Sequence, residues 1–318
     1  MLTLADVLEA LTGLRPVMNP LVITEAAIDS RQVLPGGLFV AIPGERVDGH
    51  EYVAQAFKAG AVAALIEHPV EIEATLLDAR SASALQVDEQ VEVPVCILVG
   101  NTVQALQTIA AFWRRKLSLR VIGITGSVGK STTKEAIAQV LRQRYKTLKS
   151  LANLNNEIGL PLNVLRLTPG HQYAVLEMGF YVPGEIAQLC EIALPQVGVL
   201  NNIGTVHAER AGTQEAIAQG KGELVEALPS APEGVAILNY DDPFIRPMRS
   251  RTQARVFYYG LDPAADLWAD NVESMGLEGI RLRLHYRKET LFVRVPMIGR
   301  HSVHTVLRAA AVGLVEGL

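Results

Sequence analysis

The apolar run Val121-Ile122-Gly123-Ile124-Thr125 leads directly into Gly126-Ser127-Val128-Gly129-Lys130-Ser131-Thr132, and residues 130–144 continue with helical spacing. A strand, a glycine turn and a helix in immediate succession constrain this chain more than any other feature. Glycines let the backbone turn tightly and bring its N–H groups close to phosphate oxygens. The helix that follows directs its partial positive charge at the same point. Lys130 is placed to bridge terminal phosphates, and the Ser131 hydroxyl to coordinate Mg2+. Residues Thr125 to Thr132 therefore read as an ATP-binding phosphate loop. The general pattern puts a glycine at position 124, where this chain has Ile124, and Gly126 supplies the flexibility two residues later. Such a loop leaves kinase, motor, transporter subunit, GTPase and ligase open.

The segments around the loop indicate an α/β fold. From residue 118 onward, strand-like runs alternate with helical ones: YAVLE then GEIAQLCEIA, QVGVL then TQEAIAQGKGELVEAL, GVAILN then DDPFIRPMRS. This rhythm predicts a mostly parallel central sheet of the P-loop ATPase type with helices on both faces. Residues 266–295 read as an antiparallel edge extension, and 299–318 as a closing helix. Before residue 118, LFVAI and VCILV read as strands, residues 51–61 as a helix and 102–117 as another. Segment 69–94 reads as an exposed connection. The expected division is 1–117, a small α/β domain, and 118–318, the central ATP-binding domain.

Composition removes several classes. A formal net charge of −4 without a basic run argues against nucleic acid. The nearest candidate, Arg114-Arg115-Lys116, reads as the solvated end of a helix. No apolar stretch is long enough to span a membrane, and the N-terminal residues read as an amphipathic helix, not a leader. The two cysteines, Cys96 and Cys190, lie in apolar segments and read as buried free thiols of a cytoplasmic protein.

Further candidates follow the strands. Glu177 ends YAVLE, where a parallel strand delivers side chains to the ligand edge of a sheet. Asn201-Asn202-Ile203-Gly204 and His207 follow the next strand, so His207 is placed to face the same crevice. Lys221, read from its neighbours alone, is a snorkelling surface lysine.

Taken together these residues resemble the Mur ligases of peptidoglycan precursor synthesis, over nearly the whole chain. The resemblance rests on the loop, on Asn153-Leu154-Asn155-Asn156-Glu157-Ile158-Gly159, on Glu177-Met178-Gly179 with Gly184-Glu185-Ile186, on Asn202-Ile203-Gly204 with His207, on Lys221-Gly222-Glu223, and on Asn239-Tyr240-Asp241-Asp242. In the first domain, Asp29-Ser30-Arg31 and Asp48-Gly49-His50 are similar to the UDP-binding domain of the late-acting members.

The resemblance implies an ATP-dependent amide ligase that joins D-alanyl-D-alanine to UDP-MurNAc-tripeptide. A sister activity adding one amino acid, or a degenerate nucleotide-binding scaffold, are the alternatives. It implies Ser131, Glu177, His207 and a carbamylated Lys221 as magnesium ligands, and Lys130, Lys221 and His207 as catalytic groups. Asn239 and His301 join the loop in binding ATP. Ser30, Arg31, Asp48, His50, Asn155 and Asn156 bind the UDP substrate. The chain is read as a monomer.

Three departures stand out. Phe180 and Tyr181 follow Gly179 where small or polar residues are usual, and Ser302 and Thr305 replace two asparagines of the family pattern. A third domain of roughly 100–150 residues, expected after Leu318, is absent from the chain, which is therefore expected to bind ATP yet ligate poorly.

Overall fold

Apolar runs too short for helices pair as parallel strands in two separate sheets. The computed structural model describes all residues except Arg46, Gln86, Asp88 and 205–212. The chain divides into one unit of Met1–Ser118 with Glu157–Pro169, and another of Leu119–Asn156 with Gly170–Leu318.

In the first unit the strands are β1 (Ala26–Ala27), β2 (Leu38–Val40), β3 (Ala63–Ile66), β4 (Thr75–Asp78) and β5 (Val95–Leu98). They form a parallel sheet in the order β1-β2-β3-β5-β4. Helices α1 (Leu4–Thr12), α2 (Val53–Lys58) and α3 (Thr102–Arg115) complete the unit. Strand β4 lies inside the segment expected to be an exposed connection. Only Leu77 of its four residues is buried, so it carries no apolar run to read. Arg114 also departs from expectation: it is buried and donates to the Leu117 carbonyl at 3.0 Å.

The short helix α5 (Gly159–Leu165) belongs to this unit too, although sequence order places it after the phosphate loop. Seven consecutive buried residues make it core material, and the Trp113 indole N–H donates to the Leu167 carbonyl at 2.8 Å. The first unit is thus discontinuous in sequence.

In the second unit the strands are β6 (Arg120–Thr125), β7 (Thr147–Lys149), β8 (Tyr173–Glu177), β9 (Val197–Leu200), β10 (Val235–Asn239), β11 (Arg255–Gly260), β12 (Leu267–Ser274), β13 (Ile280–Tyr286) and β14 (Glu289–Val295). Their order is β14-β13-β12-β11-β10-β9-β6-β8-β7. Pairing is parallel from β7 to β12, and β12, β13 and β14 are antiparallel, as the loss of helical runs predicts. Among the described residues the helices are α4 (Lys130–Arg142), α6 (Glu185–Ala193), α7 (Gln214–Glu226) and α8 (Val303–Val315). The run 241–250, expected to be helical, contains Pro243 and Pro247 and forms only a 3-10 turn at Arg246–Arg251. The core of this unit joins Ile122, Ile124, Val199, Ile237 and Tyr259 of the sheet to Ile137 and Leu141 of α4 and Leu307 of α8. No helix among the described residues is long and apolar enough to cross a membrane.

Helix α1 starts at a capping box in which Thr3 and Asp6 bond reciprocally. Asp6 also takes hydrogen bonds from Arg15 at 2.7 Å and Lys116 at 2.9 Å. Burial opposes its charge, but the bonds from Lys116, Thr3 and Arg15 outweigh burial and hold the carboxyl well below its ordinary value. A lowered folded value stabilises the native state above the ordinary 3.8, and that stability is lost as pH falls below it. Asp6→Asn is expected to cost about 1–2 kcal/mol at pH 7, with the gap to wild type shrinking in acid. Urea midpoints across pH 2–7 (roughly, spanning the carboxylate range) check this; a constant gap contradicts it.

Candidate functional site

Strand β6 sits between β9 and β8: the chain passes from β6 to β7 and β8 on one side, then crosses β6 to reach β9 on the other. This is the switch point at which an open parallel sheet forms a crevice at its carboxyl edge. Gly126 to Gly129 occupy that edge. Gly129 has φ +81°, a left-handed conformation that glycine adopts without penalty. A Cβ on Gly126 would lie 2.6 Å from the Asn201 Cβ. The loop is braced by the residues after β9: the Ser127 amide donates to the Asn202 carbonyl at 3.0 Å, the Val128 amide to Asn202 Oδ1 at 3.0 Å, and Asn201 Nδ2 to the Thr133 hydroxyl at 3.2 Å. Asn202 and Asn201 are thus loop-shaping residues whose role the sequence did not disclose.

Lys130 and Ser131 open α4. Lys130 Nζ donates to the Gly126 carbonyl at 2.9 Å. Burial lowers its pKa below the usual lysine value, and the Glu177 charge offsets part of that. Register pairs Ile124 with Glu177, which brings the end of β8 beside the start of α4. The Ser131 hydroxyl donates to Glu177 Oε2 at 2.9 Å, and Asn155 Nδ2 to Glu177 Oε1 at 2.9 Å. Glu177 is 2% exposed. Asn155 therefore stands on the carboxylate.

Lys221 corrects the surface reading: it is 1% exposed, within α7. It faces inward because α7 packs its small residues closely. A Cβ on Gly220 would fall 2.0 Å from the Phe180 ring, and Lys221 Nζ lies 4.7 Å from the centroid of that ring. Burial, with a contribution from the Lys130 charge, pushes the Lys221 pKa down to about 7. His207 lies outside the described residues.

A cavity of about 420 Å³ adjoins the loop, lined by Val128, Gly129, Thr132, Asn239, His301 and Arg308 among others. Asn239 and His301 thus share a cavity with the loop. Asn239 is also structural: its Nδ2 donates to the Asn201 carbonyl at 3.1 Å. Ser302 Oγ is committed to the Ile298 carbonyl at 2.8 Å, and Thr305 Oγ1 accepts from Arg308 at 3.1 Å.

In the first unit a cavity of about 570 Å³ is lined by Ser30, Arg31, Phe39, Tyr52 and Gln55 among others. Arg31 forms a two-point pair with Asp29, at 2.9 and 2.7 Å. Asp48 and His50 bond to each other. The Glu67 amide donates to His50 Nε2 at 2.8 Å, so the ring proton sits on Nδ1 and is donated to Asp48 at 2.7 Å. Both ring nitrogens of His50 are engaged, and the imidazole is buried, because it links the 49–52 turn to the end of β3. Asp48, His50 and His68 do gather three potential metal-ligand atoms. The His50 and His68 rings stack at 4.0 Å and 20°, however, so no ion can lie in the plane of both.

The profile of the Mur ligase middle domain matches residues 124–313, and that of the Mur ligase family catalytic domain matches residues 22–114. The chain belongs to the Mur ligase family. It is 37% identical over 297 residues to a UDP-N-acetylmuramoyl-tripeptide–D-alanyl-D-alanine ligase of Synechocystis sp., covering 93% of this chain and 59% of the relative. It is 35% identical to the ligase of the same name from Bacillus subtilis, covering 99% of this chain and 64% of the relative. The chain thus spans about three fifths of these relatives. Among solved structures, MurF from Acinetobacter baumannii superposes with a TM-score of 0.82 at 30% identity, covering 99% of this chain and 65% of that one. MurF ligase from Thermotoga maritima, in complex with ADP, superposes at 0.77 and 28% identity, covering 94% and 65%.

Gly126→Ala tests the loop geometry. The added methyl collides with Asn201, so nucleotide affinity is expected to fall ~10-fold or more while the far-ultraviolet circular dichroism spectrum is unchanged. Isothermal titration with ADP measures it; wild-type affinity in the variant contradicts the geometry.

Proposed function

We propose that this chain forms the substrate- and ATP-binding part of a cytoplasmic, monomeric ligase that joins D-alanyl-D-alanine to UDP-MurNAc-tripeptide. The observation that carries the reading is the bond from Ser131, in the phosphate loop, to Glu177, at the end of the neighbouring strand. It is supported by the names of the relatives and by the ADP reported in the Thermotoga maritima structure.

A free carboxylate is a poor acylating agent. Its oxygen attacks the terminal phosphorus of ATP, giving an acyl phosphate and ADP. The amine of D-alanyl-D-alanine then attacks the acyl carbon, and the tetrahedral intermediate collapses with loss of phosphate and a proton. Lys130 and the loop amides bind and orient the transferring phosphoryl group. Binding holds the reactants together and excludes water. Ser131 and Glu177 present hard oxygen donors of the kind magnesium prefers, with His207 and a carbamate on Lys221 completing the set. Magnesium bound there would neutralise phosphoryl charge.

The buried position of Lys221 supports the carbamate. Its amine, held near neutrality, is available to attack carbon dioxide with release of a proton, and the product is an anion instead of a cation beside the metal. Ser30 and Arg31, on the rim of the first-unit cavity, are assigned to the UDP end of the substrate.

Three measurements test this reading. ATP turnover with D-alanyl-D-alanine and with single amino acids as acceptors, using protein that includes any continuation of the reading frame, separates it from a sister ligase or a scaffold. Lys130→Ala should reduce that turnover by ~100-fold or more; equal turnover in a folded variant sinks the assignment. Lys221→Ala should lose activity and regain part of it when a short carboxylic acid is added to stand in for the carbamate. Full activity without rescue would show Lys221 to be a packing residue only.

A further inference from the structure

Lys134 lies on α4, three residues after Ser131 and four after Lys130, so all three share one face of the helix. It is 2% exposed. Its ammonium donates to the Ala152 carbonyl at 3.0 Å and stands 3.7 Å from Glu177 Oε2, the oxygen that also accepts from Ser131. Glu135 is 4.0 Å away but is engaged by Lys149. A buried ammonium needs a counter-charge, and Glu177 is the buried carboxylate beside it among the described residues.

The segment held by Lys134 is the one that carries Asn155. Ala152 has φ +40°, a left-handed conformation unfavourable for alanine. Two residues earlier, Ser150 Oγ accepts from the Glu177 amide at 3.0 Å. Three residues later, Asn155 bonds the Glu177 carboxylate through its side chain and the Gly179 amide through its carbonyl at 2.7 Å. The turn and the carboxylate are therefore fastened to each other at both ends, and Lys134 is the charged group between them.

We infer that Lys134 is a positioning residue. It fixes the Ala152 turn and the rotamer of Glu177, so that this carboxylate is presented to a divalent cation beside Ser131. The inference rests on the reading of Glu177 as a metal ligand.

Two variants separate charge from shape. Lys134→Met removes both the donor and the charge; Lys134→Gln keeps a donor for Ala152 and removes the charge. Amide hydrogen exchange on nucleotide-free protein is expected to speed up about tenfold or more at residues 150–156 and Gly179 in Lys134→Met, with α4 unchanged. ADP affinity, measured with magnesium and with EDTA, gives the second readout. Both variants should lose most of the magnesium-linked gain, about tenfold, while affinity in EDTA stays close to wild type. Unchanged exchange in Lys134→Met, or equal losses of affinity with and without magnesium, would overturn the inference. A wild-type chain that binds ADP with no magnesium-linked gain refutes the metal reading instead, and the exchange comparison still decides whether Lys134 holds the turn.

Discussion

The second unit is organised around one buried carboxylate. Glu177 ends a fully buried strand, and both its oxygens are engaged, one by Asn155 and the other by Ser131 with Lys134 close by. Removing a charged group from water costs several kcal/mol unless partners replace the lost hydration. Here the partners come from two separate segments: the first turns of α4 and the loop before α5. The phosphate loop and the Asn155 turn therefore hold their places at the β8 edge partly because each satisfies the same charge.

A second constraint works by exclusion. Gly126 and Gly129 let the loop lie against Asn201, and the two asparagines after β9 return hydrogen bonds to its backbone. On the other flank Gly220 lets α7 approach Phe180, which closes over Lys221. Absent side chains thus set how near the loop comes to Asn201 and how near α7 comes to Phe180. The aromatic ring of Phe180 is part of the lining around the Lys221 amine.

The first unit follows different rules. Its sheet is parallel and its central strands are buried along their whole length, as expected where helices cover the faces. Its polar segments divide into two kinds. Ser30 and Arg31 border an open cavity, whereas Asp48 and His50 are spent on joining the 49–52 turn to β3. Short polar motifs of the same general look therefore differ in role according to whether their hydrogen bonds are already filled from within.

The sequence by itself determined the strand–loop–helix of residues 121–142, the alternation behind the parallel sheet, and the antiparallel extension of β12 to β14. Each depends on local spacing of apolar residues, glycines and caps, which neighbouring positions alone supply. It also indicated Ser131 and Glu177 as partners, because strand ends of a parallel sheet meet at one edge. Tertiary structure alone decided the rest. Lys221 is buried because Gly220 lets α7 close on Phe180, a contact between residues 40 positions apart. The 157–169 segment joined the first unit because Trp113 reaches Leu167, and β4 formed because β5 offered an edge. Burial and charge pairing depend on distances across the fold, and no window of sequence contains them.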